Sequence, residues 1–200
     1  MSKTTVASTG IDLSDSFAFT GTVSGAGYDL VHTITASSDA NVTFNSTYIT
    51  STYKHYIVQM IDLVPATDSQ HLKFLASADN FSSDIGSYDR LISHDSSGNA
   101  GTPDQFNGST NMDPLQITGT QACGSASGES FSGHLCIYNP SNSSVQKMMS
   151  VEAAYVDSDA VSRMAQGYCT IDSTSAVNAI RFFFASGNIA SGVFKLYGVN

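Results

Sequence analysis

Residues 176–200 read AVNAIRFFFASGNIASGVFKLYGVN, and this apolar stretch at the end of the chain decides the fold. Residues 177–184 and 193–199 alternate with a period of two, which is strand spacing. The first run carries apolar residues on both parities, which indicates a strand covered on both faces. Ser186, Gly187 and Asn188 form a turn cluster between the runs. The pattern predicts a C-terminal hairpin that closes the core of an all-β protein.

The same alternation recurs upstream in shorter runs that are separated by turn residues. Residues 146–156 also have good helix propensity, but the alternation of Met149, Val151 and Ala153 and the flanking turns favour a strand. The upstream runs predicted as strands are residues 15–23, 28–36, 42–50, 54–63, 71–78, 130–138, 146–156 and 163–171.

The run 54–63, KHYIVQMIDL, is the strongest of the internal strands and ends before Pro65. It is apolar on both parities, so we expect it to lie centrally in a sheet. A strict period of two places Tyr56, Val58 and Met60 on one face and Ile57, Ile61 and Leu63 on the other.

Short strands at regular spacing, with no convincing long helix, predict an all-β, single-domain antiparallel β-sandwich of about ten strands over residues 1–200. Residues 1–12 are expected to form an extended N-terminal lead-in. Residues 95–111, DSSGNAGTPDQFNGSTN, have no periodicity and are expected to form a long surface loop.

The charge of the chain disfavours two classes of partner. Charged residues are 12% of the sequence, and 17 acidic against 8 basic side chains give a formal net charge of -9. An acidic chain is poorly suited to bind nucleic acid phosphates or an anionic membrane surface. No run reaches the roughly 18 apolar residues of a membrane span, so we expect neither nucleic acid binding nor membrane insertion.

The cysteines, histidines and aspartates show no metal-binding spacing. Cys123, Cys136 and Cys169 contain no CxxC pair and are expected to be buried free thiols, with a Cys123–Cys136 bridge as an open alternative. Either aspartate pair could seat calcium, but a turn role is favoured. The sequence therefore predicts no metal site and no cofactor. The histidines are His32, His55, His71, His94 and His134, and the aspartate pairs are Asp12 with Asp15 and Asp157 with Asp159.

No spacing points to catalysis. The chain has no GxSxG motif, and its many serines and aspartates make a Ser-His-Asp triad uninformative. Glu129 and Glu152 are the only glutamates and are a weak candidate for a glycosidase pair, since one lies in a Gly/Ser-rich loop and the other on a strand. We expect no catalytic residues and no enzyme activity.

Two aromatic pairs, Tyr53 with Tyr56 and Phe182 with Phe184, could form a platform on which sugars stack. For strand residues, packing in the core is the default expectation.

Three groups of residues carry a resemblance to a known family. They are residues 13–17 with 19–21; residues 56–58 and 62–68 followed by Leu72 and 76–79; and residues 188–192 with 194–198. Together they resemble a group of tailed-bacteriophage virion proteins, common among marine and cyanobacterial phages and described as tail-fibre-like or structural. Members of this group tend to have a Gly-Gly turn where this chain has DNFSS at 79–83.

The resemblance implies a jelly-roll-like β-sandwich, often oligomeric, on the exterior of a virion, and it brings no set of functional residues. The expected function is that of a structural accessory protein, either capsid decoration or cement or a small head or tail appendage. Such a protein assembles in the cytoplasm of the bacterial host. Its expected partners are itself, as a homotrimer, and major capsid or tail proteins. The alternative is a carbohydrate-binding receptor-recognition module of a tail fibre, with a host surface glycan as its partner.

Overall fold

The computed structural model describes residues 27–96 and 106–200, which form twelve β-strands. The predicted strand at 15–23 and the lead-in at 1–12 lie outside the described residues. No helix in the described ranges is long and apolar enough to cross a membrane. The strands are β1 (Asp29–Asp39), β2 (Val42–Phe44), β3 (His55–Pro65), β4 (Leu72–Ser77), β5 (Tyr88–Ser96), β6 (Phe106–Met112), β7 (Leu115–Gln116), β8 (Phe131–Tyr138), β9 (Lys147–Val156), β10 (Ser162–Ile171), β11 (Ala179–Phe184) and β12 (Ile189–Val199).

The strands form two antiparallel sheets. The large sheet has eight strands in the order β1-β12-β3-β8-β9-β10-β5-β6, and the small sheet has four in the order β2-β11-β4-β7. This arrangement confirms the predicted all-β sandwich, with twelve described strands where about ten were expected. The run 54–63 lies as β3 between β12 and β8, and the ambiguous run 146–156 is strand β9.

The core lies between the two sheets and is built by alternation along each strand. In β9, Met149, Val151, Ala153 and Tyr155 are all buried, and the residues between them are exposed or half-buried. The sheets meet through aromatic rings, because Phe182 of the small sheet lies 5.6 Å from Phe194 of the large one, measured between ring centroids.

The predicted C-terminal hairpin is wrong, although both of its strands exist. β11 pairs with β2 and β4 in the small sheet, whereas β12 pairs with β1 and β3 in the large sheet. The turn between them therefore carries the chain from one sheet to the other. Gly187 adopts a φ of 73° in this turn, a left-handed conformation that glycine tolerates. Alternation identifies a strand, but it does not identify the strand's partner.

The predicted faces of β3 are confirmed through Ile61 and are wrong at Leu63. Asp62 has a φ of 50°, and the pairing of β3 with β8 shifts between Met60 and Leu63. This bulge adds one residue, so Leu63 is fully buried on the same side as Met60. Across the sheet, Gly192 of β12 adopts a φ of 138° against Leu63, where an added Cβ would lie 2.4 Å from Leu63 Cδ2.

The expected loop at 95–111 is wrong at both of its ends. β5 continues to Ser96 and β6 begins at Phe106, and the two strands pair antiparallel with Leu91 opposite Gly108. Residues 97–105 lie outside the described residues. The sequence did not predict these strand ends, because Asn, Gly, Ser and Thr show no alternation of apolar and polar residues.

All three cysteines are free and buried. The expectation of buried thiols is confirmed, and the alternative bridge between Cys123 and Cys136 is not formed. Cys123 lies in the segment before β8, where its backbone forms isolated β-bridges with Gln70 and Asp157. Cys136 lies within β8 itself.

Candidate binding surface

The face of the large sheet that points away from the small sheet, here called the outer face, carries large exposed side chains. Tyr168 of β10 is 72% exposed and Tyr138 of β8 is 45% exposed. Leu91 and Met148 are also about half exposed. Exposed rings on a rigid sheet are more typical of a binding surface than of a solvated one.

A line of polar side chains crosses the middle of the outer face. The register places Gln59 of β3 opposite His134 of β8, His134 opposite Glu152 of β9, and Glu152 opposite Gln166 of β10. All four residues are exposed. We call them the polar row; neighbouring members lie on strands about 4.8 Å apart.

Two grooves lie along this row. The larger one, of about 490 Å³, has β9 as its floor and the side chains of β8 and β10 as its walls. Tyr138 and Tyr168 flank Ser150 at one end, and the Tyr138 hydroxyl lies 3.2 Å from Ser150 Oγ. The residues that line the larger groove include Leu91, His134, Tyr138, Ser150, Glu152, Gln166 and Tyr168; those of the smaller one, of about 380 Å³, are Tyr28, Ile57, Gln59, His134 and Tyr197.

Cys136 occupies an outward position of β8, between Ile57 and Ser150 in the register, but it is only 6% exposed. Burial raises the pKa of its thiol, and a hydrogen bond with Tyr138 opposes this effect only in part. The thiol is therefore protonated at neutral pH and is a poor nucleophile. It contributes a small, neutral side chain beside the groove.

A second group of polar side chains, buried or half-buried, surrounds residues 116–118 beside β4 and has a structural role. Arg90 Nη1 donates to the carbonyl oxygens of Gln116 and Thr118 at 2.9 and 3.1 Å, and Lys73 Nζ donates to Gln116 Oε1 at 3.1 Å. His71 Nδ1 lies 2.8 Å from Thr118 Oγ1. Burial, with the positive charges of Lys73 and Arg90, lowers the pKa of His71 to about 4. These contacts fix residues 116–118 against the core.

The Asp157 carboxylate stabilises the turn in which it lies. Its Oδ1 accepts hydrogen bonds from the backbone N–H groups of Asp159 and Val161, and Arg163 Nε donates to Oδ2 at 2.6 Å. Burial raises the pKa of this carboxyl, but the hydrogen bonds outweigh it and hold the pKa below its usual range. In residues 27–96 and 106–200 no three His, Cys, Asp or Glu side chains are grouped to hold a metal ion. Asp12 and Asp15 lie outside these ranges.

The two glutamates are not brought together. Glu129 is buried, and its Oε2 accepts a hydrogen bond from the backbone N–H of Ala126 at 2.7 Å. Glu152 is opposite His134, which lies five residues beyond Glu129, or about 16 Å along an extended chain. Glu129 is thus buried in the turn before β8, whereas Glu152 is exposed on the outer face, and the two do not form the facing pair of a glycosidase.

The aromatic pairs singled out in the sequence lie mainly in the core, which confirms the default expectation. Tyr56 is fully buried and its hydroxyl donates to the carbonyl oxygen of Thr50, and Phe182 and Phe184 are buried between the sheets. The exposed rings of Tyr138 and Tyr168 were missed. Alternation along each strand could have identified them as outward-facing, because Tyr138 lies on the same face of its strand as His134, and Tyr168 on the same face as Gln166.

Comparison with protein-family models, with curated proteins and with solved structures finds no match to this chain.

Proposed function

We propose that this protein is a structural accessory protein on the exterior of a tailed-bacteriophage virion, either a capsid decoration protein or a small head or tail appendage. The observation that carries the proposal is the resemblance to phage virion proteins over residues 13–21, 56–79 and 188–198. In this role the chain is made in the host cytoplasm and assembles there onto major capsid or tail proteins.

The geometry supports binding rather than catalysis. The outer face offers a surface of exposed rings and polar groups on paired strands. Of the described ionisable groups, Glu129 and Asp157 are held by their own turns and the three thiols are buried, whereas His134 and Glu152 are exposed in the groove, where they are placed for contact with a ligand. We therefore propose that the protein acts through surface contacts and has no enzyme activity.

The composition of purified virions tests the proposal. Mass spectrometry should find the protein in a fixed ratio to the major capsid or tail protein, and an electron-microscopy map of the particle should place the sandwich on its outside. Abundance in infected cells together with absence from purified particles would contradict it.

We propose further that the protein forms homotrimers through β1, which is the last strand of the large sheet within residues 27–96 and 106–200. In that part of the chain Tyr28 and Leu30 are 64% and 56% exposed, and a sheet edge with apolar side chains favours association. Sedimentation at tens of micromolar should give three times the 21.1 kDa of one chain, and Leu30→Asp should shift the distribution to monomer. A wild-type monomer, both in solution and on the particle, would contradict the trimer.

A second candidate function is recognition of the host by a tail fibre, and the groove on the outer face favours it. The combination of Tyr138, Tyr168 and the polar row is suited to hydroxyl-rich ligands. Purified protein added before the phage should compete with it and slow its adsorption to host cells. Unchanged adsorption at saturating protein would contradict this role.

A further inference from the structure

The larger groove on the outer face has different chemistry at its two ends. At one end, Tyr138 and Tyr168 rise from β8 and β10 on either side of Ser150. At the other end, His134 and Gln166 occupy the same two strands on either side of Glu152. The two walls stand on strands separated by two strand spacings, or about 10 Å, which leaves room for one flat ring between them.

The polar groups of this groove are not used to hold the fold together. Among the described residues, side-chain hydrogen bonds on the outer face include those that join Tyr138 to Ser150 and to Cys136, and Ser132 to Asp62. The side chains of His134, Glu152 and Gln166 make no such bond there and are exposed. With respect to the described side chains, their hydrogen-bonding capacity is therefore free to meet a ligand.

The ligand must supply both apolar faces and many small polar groups. Tyrosine offers a wide, rigid and amphipathic contact area at a low cost in conformational entropy. Gln166 both donates and accepts, Glu152 accepts, and the two ring nitrogens of His134 supply a donor and an acceptor. A pyranose has C–H faces that pack on rings and hydroxyl groups that donate as well as accept. It can therefore satisfy both ends of the groove at once.

The same groups fit other classes of partner less well. A protein surface would press the polar row into the middle of an interface, where charged residues are depleted and where each unpaired polar group costs free energy. Nucleic acid or an anionic polymer would meet a chain of net charge -9 and, in this groove, the carboxylate of Glu152.

We propose that this groove binds a neutral, hydroxyl-rich oligosaccharide that lies along β9 between the walls formed by β8 and β10. Tyr138 and Tyr168 stack on one sugar unit, and His134, Glu152 and Gln166 hydrogen-bond the hydroxyl groups of the next. This site would supply the ligand contact for the host-recognition role proposed above, and its biological role rests on that proposal. Binding itself is a property of the isolated chain.

The test is a microarray of neutral and acidic bacterial oligosaccharides probed with the full chain, followed by calorimetry with the strongest neutral ligand. Tyr168→Ala and Glu152→Gln should each weaken binding about tenfold or more, the loss expected for one stacking or charge-assisted contact. Met164→Ala is the matched control, because Met164 is an exposed residue of the same strand that does not line the groove. It should bind within twofold of wild type.

Two results would overturn the site: folded wild-type protein that binds no neutral glycan, or Tyr168→Ala and Glu152→Gln variants that bind as tightly as wild type. Assaying the same variants for attachment to virions separates this proposal from that of the virion protein. Loss of glycan binding with attachment retained supports the groove. If the wild-type protein binds no glycan and the same variants no longer attach to virions, the outer face would be assigned to contact with the particle. A glycan-binding protein absent from virions would keep the site and refute the virion role.

Discussion

The two faces of the large sheet use similar residues for different ends. On the inner face, Tyr155 of β9 is 3% exposed, stacks on Phe131 and has both of its hydroxyl contacts within the protein. On the outer face, Tyr168 of the neighbouring strand β10 is 72% exposed. The comparison teaches that tyrosine in a strand does not by itself indicate core or site. The face of the sheet on which the tyrosine lies determines its role. We expect side chains of the inner face to stabilise the fold and those of the outer face to bind a partner.

Deletion of residues 189–200 should have the largest effect on stability, because it removes the strand that joins β1 to β3. The buried side chains lost include Ile189, Phe194 and Leu196. Each contributes about 1.5–3 kcal/mol by area alone, against a total stability of about 5–15 kcal/mol. The truncated chain should be insoluble or unfolded by circular dichroism.

The damage from this deletion arises in the large sheet. β11 keeps both of its partners, β2 and β4, so a free edge at 179–184 is not expected. A soluble deletion variant that melts cooperatively would show that the core closes without β12.

Two neighbours on β12 sharpen the contrast between the faces. Phe194 is fully buried against Phe182, whereas Lys195 is a half-buried residue of the outer face. Phe194→Ala should lower the free energy of unfolding by about 3–5 kcal/mol through the cavity it leaves. Lys195→Ala should change it by less than about 0.5 kcal/mol. Urea denaturation of both variants measures the difference, and equal losses would contradict the assignment of faces.

Gly192→Ala tests the close contact between Gly192 of β12 and Leu63 of β3, next to the bulge at Asp62. The added Cβ would stand 2.9 Å from Leu63 Cα at a φ of 138°, so both sterics and backbone oppose it. The expected loss is about 2–3 kcal/mol, read from the shift of the urea midpoint. Gly128→Ala is the control, since it shares a positive φ but has nothing within 4 Å, and it should lose less. Equal losses would mean that backbone strain alone, and not the contact with Leu63, sets the cost.

A pH dependence should come from His71, next to β4 of the small sheet, and not from the outer face of the large sheet. His71 has a folded pKa of about 4, below the ordinary value of 6.5, because of burial and the charges of Lys73 and Arg90. Between these values the unfolded chain binds the extra proton, so stability is full above pH 6.5 and falls as the pH drops towards 4.

From pH 7 to 5 this linkage should remove about 1 kcal/mol, a figure reduced for partial exposure of the ring. The urea midpoint should lose this dependence in His71→Gln and keep it in His134→Gln, since His134 is exposed on the outer face. Loss of the dependence in the His134 variant instead would refute the assignment to His71.

The sequence predicts those parts of the fold that depend on neighbouring residues. Residues 130–138 and 163–171 nearly match β8 and β10, because alternation is a local signal. The sheet to which β11 and β12 belong depends on distant strands, so alternation predicted a hairpin that does not form. The bulge at Asp62 escaped prediction because a positive φ at aspartate leaves no pattern in the sequence.

The candidate site was harder to predict than the fold. Tyr138 and Tyr168 are thirty positions apart, and the polar row takes its members from four strands. Each residue alone resembles an ordinary solvated side chain. Only the register of β3, β8, β9 and β10 places them in one line, and that register is set by non-local pairing.

The free energy of unfolding of Tyr155→Ala and Tyr168→Ala, measured side by side by urea denaturation, tests the central claim most directly. Both variants remove the same ring from adjacent strands of one sheet. The account predicts a loss of about 3–5 kcal/mol for Tyr155→Ala and a change within about 0.5 kcal/mol for Tyr168→Ala. A loss of several kcal/mol in the Tyr168 variant, or near-neutrality in the Tyr155 variant, would contradict the division of labour between the two faces.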